Sequence, residues 1–90
     1  MSEGAVTGRL LLVDDDRAFR RSTGALLRQD GHEITEAADA PEAVAALKEL
    51  EFDLILLDLR MPGLDGIRLV ETLREWGEAV PILMITGFGS

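Results

Sequence analysis

The chain has 90 residues, 47% of them apolar and 29% charged, with 17 acids against 9 bases and a formal net charge of −8. That length suits one small domain, and the mixture argues against disorder. The acidic balance speaks against a grip on nucleic acid, which needs Lys and Arg on phosphates, and the lack of cysteine excludes disulfides and thiolate metal sites.

No apolar run is long enough to span a bilayer, and the N-terminus MSEGAVTGR carries no signal pattern. A cytoplasmic protein is expected. Residues 1–8 read as a loose tail and 9–90 as the domain. Leu10-Leu11-Leu12-Val13, followed by Asp14-Asp15-Asp16, reads as a strand buried on both faces. Arg17 to Asp30 carries Phe19, Thr23, Leu26 and Leu27 at helical spacing, with Gly31 placed to end the helix. Gly24 inside it costs about 1 kcal/mol relative to alanine.

Glu33 to Ala37 is a more polar strand, suited to a sheet edge. Asp39-Ala40-Pro41-Glu42 is a helix start, and Ala43, Val44, Leu47 and Leu50 form that helix's inner face. Asp53 to Asp58 is a second strongly apolar strand, and Met61 to Gly66 a loop. Ile67, Val70, Leu73 and Trp76 mark a third helix ending at Gly77, and Pro81 to Thr86 a fourth strand. Alternating strands and helices predict an α/β fold with a parallel sheet and right-handed crossovers.

All strands of such a sheet end on one edge, where open α/β folds bind ligands. Asp14 and Asp15 follow the first strand, Asp58 closes the third and Thr86 the fourth. Three converging carboxylates repel one another, and one takes up a proton unless a cation is present. Mg²⁺ suits one or two carboxylates together with phosphate oxygens. A carboxylate can itself hold a phosphoryl group as a mixed anhydride, and Asp58 has the address for that nucleophile. Asp16 reads as a helix start. His32 reads as a loop residue without a metal role, since it has no His or Cys partner. Phe19, Phe52 and Trp76 read as packing, and Met61-Pro62-Gly63 and Asp65-Gly66 as turn chemistry.

LLLVDDD, LILLDLRMPGLDG and PILMITG, in this order and spacing, resemble the receiver domain of bacterial two-component response regulators from about Arg9 to Ser90. The resemblance implies a flavodoxin-like open parallel sheet with helices on both faces. It implies that Asp58 accepts a phosphoryl group from a histidine kinase. Asp15 would be a direct Mg²⁺ ligand, Asp14 would act mainly through water, and the backbone carbonyl of Arg60 would supply a further contact. Thr86 would be the switch hydroxyl and the Gly87 N–H a further donor to the phosphoryl group. Such a domain is a phosphoacceptor, catalysing at most its own phosphorylation and dephosphorylation, rather than an enzyme acting on a separate substrate. The TGFG ending is similar to receivers found on transcriptional regulators.

The family fold has a fifth strand and two further helices, so the resemblance reads this sequence as a truncated receiver of four strands and three helices. The family's strand-five lysine and aromatic switch residue have no counterpart here. Lys48, the single lysine, lies on the second helix away from the acidic edge. Impaired phosphorylation is therefore expected, and self-association through an exposed fourth strand. Two alternatives stand beside this. One is a fragment of a haloacid-dehalogenase-type phosphohydrolase, whose D-x-D is met by Asp14 and Asp16 and whose Thr by Thr86, although Ala18 departs from its pattern and Asp58 is left unexplained. The other is a receiver-like interaction module that is not phosphorylated.

Overall fold

The computed structural model describes residues 8–58 and 66–85. Its elements run β1 (Arg9–Val13), α1 (Arg17–Gln29), β2 (Glu33–Ala37), α2 (Ala40–Glu49), β3 (Leu54–Asp58), α3 (Gly66–Glu75) and β4 (Ile82–Ile85). All strand pairs are parallel and the sheet order is β2-β1-β3-β4. The chain steps one way from β1 to β2, then the other way to β3 and β4. Right-handed crossovers therefore put α1 on one face and α2 and α3 on the other.

Side-chain alternation follows that division. Leu11, Val13, Ile55 and Leu57 face α2 and α3, where they pack with Ala43, Leu69, Leu73 and Val80. Each fully buried Leu or Ile contributes roughly 1.5–3 kcal/mol. Leu10, Leu12, Leu54 and Leu56 point to the α1 face, where Leu10, Leu54 and Leu56 line a groove with Leu27 and Leu83. Apart from Arg9 and Leu54 the residues of β1 and β3 are buried on both faces, in line with their unbroken apolar runs. β2 and β4 are the two edge strands among the described residues, and on β4 Leu83 is 54% and Met84 38% exposed.

The helix ends follow local chemistry. Asp16 caps α1, its side chain accepting from the Phe19 N–H at 3.0 Å. Asp39 caps α2 by accepting from Glu42 N–H at 2.9 Å. α1 and α3 both close with a glycine in the left-handed region, Gly31 at φ 96° and Gly77 at φ 79°. Behind Gly31, His32 N–H bonds Leu27 O and Gly31 N–H bonds Arg28 O. The Glu78 and Gly77 amides repeat this on Leu73 O and Arg74 O.

Several expectations shift. Gly8, placed in the tail, donates to His32 Nδ1 at 3.1 Å and accepts from Glu33 N–H at 2.9 Å, so it prolongs the β1–β2 ladder; the rest of the tail lies outside the described residues. Leu26, read with Phe19, Thr23 and Leu27 at helical spacing on α1, is 64% exposed. Leu50 leaves the helix as the α2 C-cap in extended backbone, and it is exposed. Trp76 stands past α3 and half exposed, with the Lys48 ammonium 5.7 Å from its ring centre.

Gly24 has a packing reason. A Cβ there would lie 3.2 Å from Glu36 Oε2, and that carboxylate is held by Arg20 at 3.2 Å and Arg28 at 3.3 Å. Glu36 cannot yield without loosening both. Gly24→Ala is expected to lower stability by about 1 kcal/mol despite the better helix propensity of alanine. In a Glu36→Ala background the same change should stabilise. Thermal unfolding of the four proteins of this cycle checks it.

Candidate functional site

In the β1–β3 register Val13 pairs with Leu57, so the next residues, Asp14 and Asp58, stand side by side at the carboxyl ends of adjacent strands. Strand order reverses here, with β2 lying to one side of β1 and β3 to the other. The apolar runs beneath hold both acids in place and shut out water: Asp14 is 1% exposed and Asp58 3%.

The Asp14 backbone is fixed from two sides. Its N–H donates to Ala37 O on β2 at 3.0 Å, and its carbonyl accepts from Arg20 Nη1 at 2.7 Å. One carboxylate oxygen, Oδ1, accepts from Asp16 N–H at 2.9 Å. The other, Oδ2, is buried with no hydrogen-bond partner among the described residues. Burial raises the Asp14 carboxyl above its ordinary value of 3.8; the Asp16 amide opposes that rise, and Asp58 adds to it both by its charge and by the hydrogen bond the two carboxyls can make when one of them holds a proton.

The structure thus brings together two of the three expected acids. Asp15 comes next but its side chain faces solvent, and among the described residues no three His, Cys, Asp or Glu groups stand close enough to hold an ion. Asp16 is engaged as the α1 cap. Arg60, Thr86 and Gly87, and the loop at 61–65, lie outside the described residues. Lys48 sits in the last turn of α2, toward the opposite edge of the sheet. His32 lies between α1 and β2 with its Nδ1 used as an acceptor, in keeping with a loop role.

Two observations say what this pair could hold. An orphaned, buried carboxylate oxygen is costly unless a cation or proton meets it. A carboxylate whose proton affinity is raised by burial and by a second carboxylate beside it favours a hard divalent cation that accepts oxygen ligands. The donors therefore fit Mg²⁺. Sequence reasoning missed Arg20 and Glu36, which steady this acid; the available signal was the spacing of Arg20, Gly24 and Arg28 at four-residue intervals, one helix face.

The sequence model described as "Response regulator receiver domain" matches residues 10–90. The chain belongs to the response regulator receiver domain family. The Bacillus subtilis strain 168 transcriptional regulatory protein ResD is 43% identical over 81 residues, which is 90% of this chain and 33% of that protein. The chemotaxis response regulator CheY4 of Vibrio cholerae superposes with a TM-score of 0.82 at 33% identity, covering 94% of this chain and 72% of that one. The response regulator TrrA of Thermotoga maritima, solved in complex with Mg²⁺-BeF, gives a TM-score of 0.79 at 30% identity, covering 90% of this chain and 70% of that one. This receiver domain spans about a third of the length of ResD. Family membership sets aside the phosphohydrolase alternative, as does the capping role of Asp16, the second acid of its D-x-D. Among the described residues no helix is long and apolar enough to cross a membrane.

Proposed function

We propose that Asp58 of this receiver domain accepts a phosphoryl group from the phosphohistidine of a sensor kinase. Mg²⁺ would be held by Asp14 and Asp58 with the Arg60 carbonyl, and by Asp15 once its exposed side chain turns in from solvent. The observation that carries this is the buried Asp14–Asp58 pair at the switch point, with one oxygen left without a partner. The Mg²⁺ bound to TrrA supports the choice of ion. When present, the ion would offset the charge gathered between the two acids and an incoming phosphoryl group.

The chain's own residues do the rest. A carboxylate oxygen of Asp58 forms the new P–O bond as the P–N bond to the kinase imidazole breaks, and the imidazole keeps the electron pair and takes a proton. The β3 backbone and the packed Ile55 and Leu57 fix that oxygen in place, so little reorganisation is needed on transfer. Burial excludes bulk water from the acids, which slows hydrolysis of the anhydride. Thr86 and the Gly87 N–H are proposed as donors to the bound phosphoryl oxygens. Regulation of transcription through a further part of a longer protein is proposed from the similarity to ResD.

The chain should be incubated with Mg²⁺ and a small acyl phosphate and then weighed by mass spectrometry. One base-labile phosphoryl adduct is expected, lost in Asp58→Asn. Mg²⁺ binding without any adduct would favour the unphosphorylated interaction module instead.

A further inference from the structure

We infer that Arg20, clamped by Glu36, is a positioning residue that aims the Asp14 carboxylate at the cation; this rests on the reading of Asp14 and Asp58 given above. Arg20 is only 12% exposed in its side chain. Its Nε donates to Glu36 Oε1 at 3.2 Å while Nη1 reaches the Asp14 carbonyl at 2.7 Å. One planar guanidinium thus ties β2 to the first residue past β1, a task that suits the rigid fork of arginine and not the single ammonium of lysine. Glu36 is in turn steadied from its far side by Arg28 Nη1 at 3.3 Å, and Arg28 Nη2 donates to Ile34 O at 3.0 Å. Gly24, between the two arginines, leaves room for the carboxylate they share.

The consequence for Asp14 is geometric. Ala37 O holds its N–H, Arg20 its carbonyl and the Asp16 N–H its Oδ1, so the remaining oxygen has one direction left to point. Releasing the carbonyl frees the peptide after Asp14 to rotate, and the aim of Oδ2 goes with it. Groups that orient a metal ligand in this way change affinity by about 10–100-fold when removed.

Positioning and simple charge make opposite predictions. Arg20 is a cation near the proposed ion, so if only its charge mattered, Arg20→Ala would tighten Mg²⁺ binding. If it positions Asp14, Arg20→Ala weakens Mg²⁺ binding roughly tenfold. Arg20→Lys, which keeps the charge, recovers only part of the loss. The test is calorimetric titration of Mg²⁺ into the wild-type chain, both variants and Arg9→Ala, whose ion pair with Glu33 is exposed and whose affinity should not move. Circular dichroism confirms folding, and Arg20→Lys carries the test if Arg20→Ala does not fold. The backbone ¹³C′ resonance of Asp14 gives a readout without metal and is expected to shift in Arg20→Lys. Unchanged or tighter Mg²⁺ binding in both folded variants overturns the inference alone. A wild-type chain that binds no Mg²⁺ overturns the reading of the site, and this inference with it.

Discussion

Leu73→Ala is expected to destabilise the protein by about 2–5 kcal/mol. Leu73 is fully buried on α3 within the cluster formed by Leu11, Val13, Ile55, Leu57 and Leu69. Removing three carbons from a close-packed site loses their transfer free energy and leaves a cavity that the sheet cannot collapse to fill. Domains of this size have about 5–15 kcal/mol in total, so the loss is a large fraction of the whole. The change lies beneath the strand that carries Asp58, so the acids should lose their fixed placement as well. Leu26→Ala, at a site 64% exposed, should change stability by no more than about 0.5 kcal/mol. Urea unfolding of the two variants tests the contrast, and equal effects would contradict the packing described.

Asp14→Asn should act in the other direction. Asp14 holds its proton more tightly in the folded chain than in the unfolded one, because burial and Asp58 both raise its pKa. Between the ordinary value of 3.8 and that raised value the folded state binds more protons. Stability without metal therefore falls as pH rises through that window, and it stays reduced above it. Asparagine keeps the Oδ1 acceptor for the Asp16 N–H and puts an amide donor where the orphaned oxygen stood. At neutral pH, free of divalent ions, Asp14→Asn is expected to be about 1–3 kcal/mol more stable than wild type. The two proteins should converge below 3.8. Added Mg²⁺ should raise the wild-type midpoint and leave the variant nearly unmoved. Thermal melts across pH, with chelator or with Mg²⁺, decide this; a variant less stable than wild type at neutral pH would show that the acid pair carries no stored repulsion.

The parallel sheet was legible because LLLV and LILL are too uniformly apolar for one-sided strands, and because acids stop both at one edge. The caps were legible too, since Asp16, Asp39, Gly31 and Gly77 act through their nearest backbone neighbours. What escaped depends on distant parts of the chain. On α3, Ile67, Val70, Leu73 and Trp76 stand at a strict spacing of three, which drifts around a helix of 3.6 residues per turn. The structure buries Leu69 beside Leu73 and leaves Trp76 half exposed. Leu26 and Leu27 are adjacent and equally apolar, and only the position of the sheet decides which one turns inward. Convergence of Asp14 with Asp58 could be read from strand ends. The separation of Asp15 from that pair could not, because it depends on the turn into α1. The Arg20–Glu36 tie joins a helix to a strand across 16 positions, and neither residue is unusual in its own neighbourhood.

The stack of Lys48 on Trp76 joins the only amine side chain to the only indole. It lies at the seam between the last turns of α2 and α3, at the end of the molecule away from the acids. Tryptophan emission is therefore a built-in optical gauge of that distant seam. An emission change on adding ion or phosphodonor would mean that an event at one rim had been relayed through the sheet to the other. A silent emission, with chemistry proceeding, would mean that the two rims answer independently.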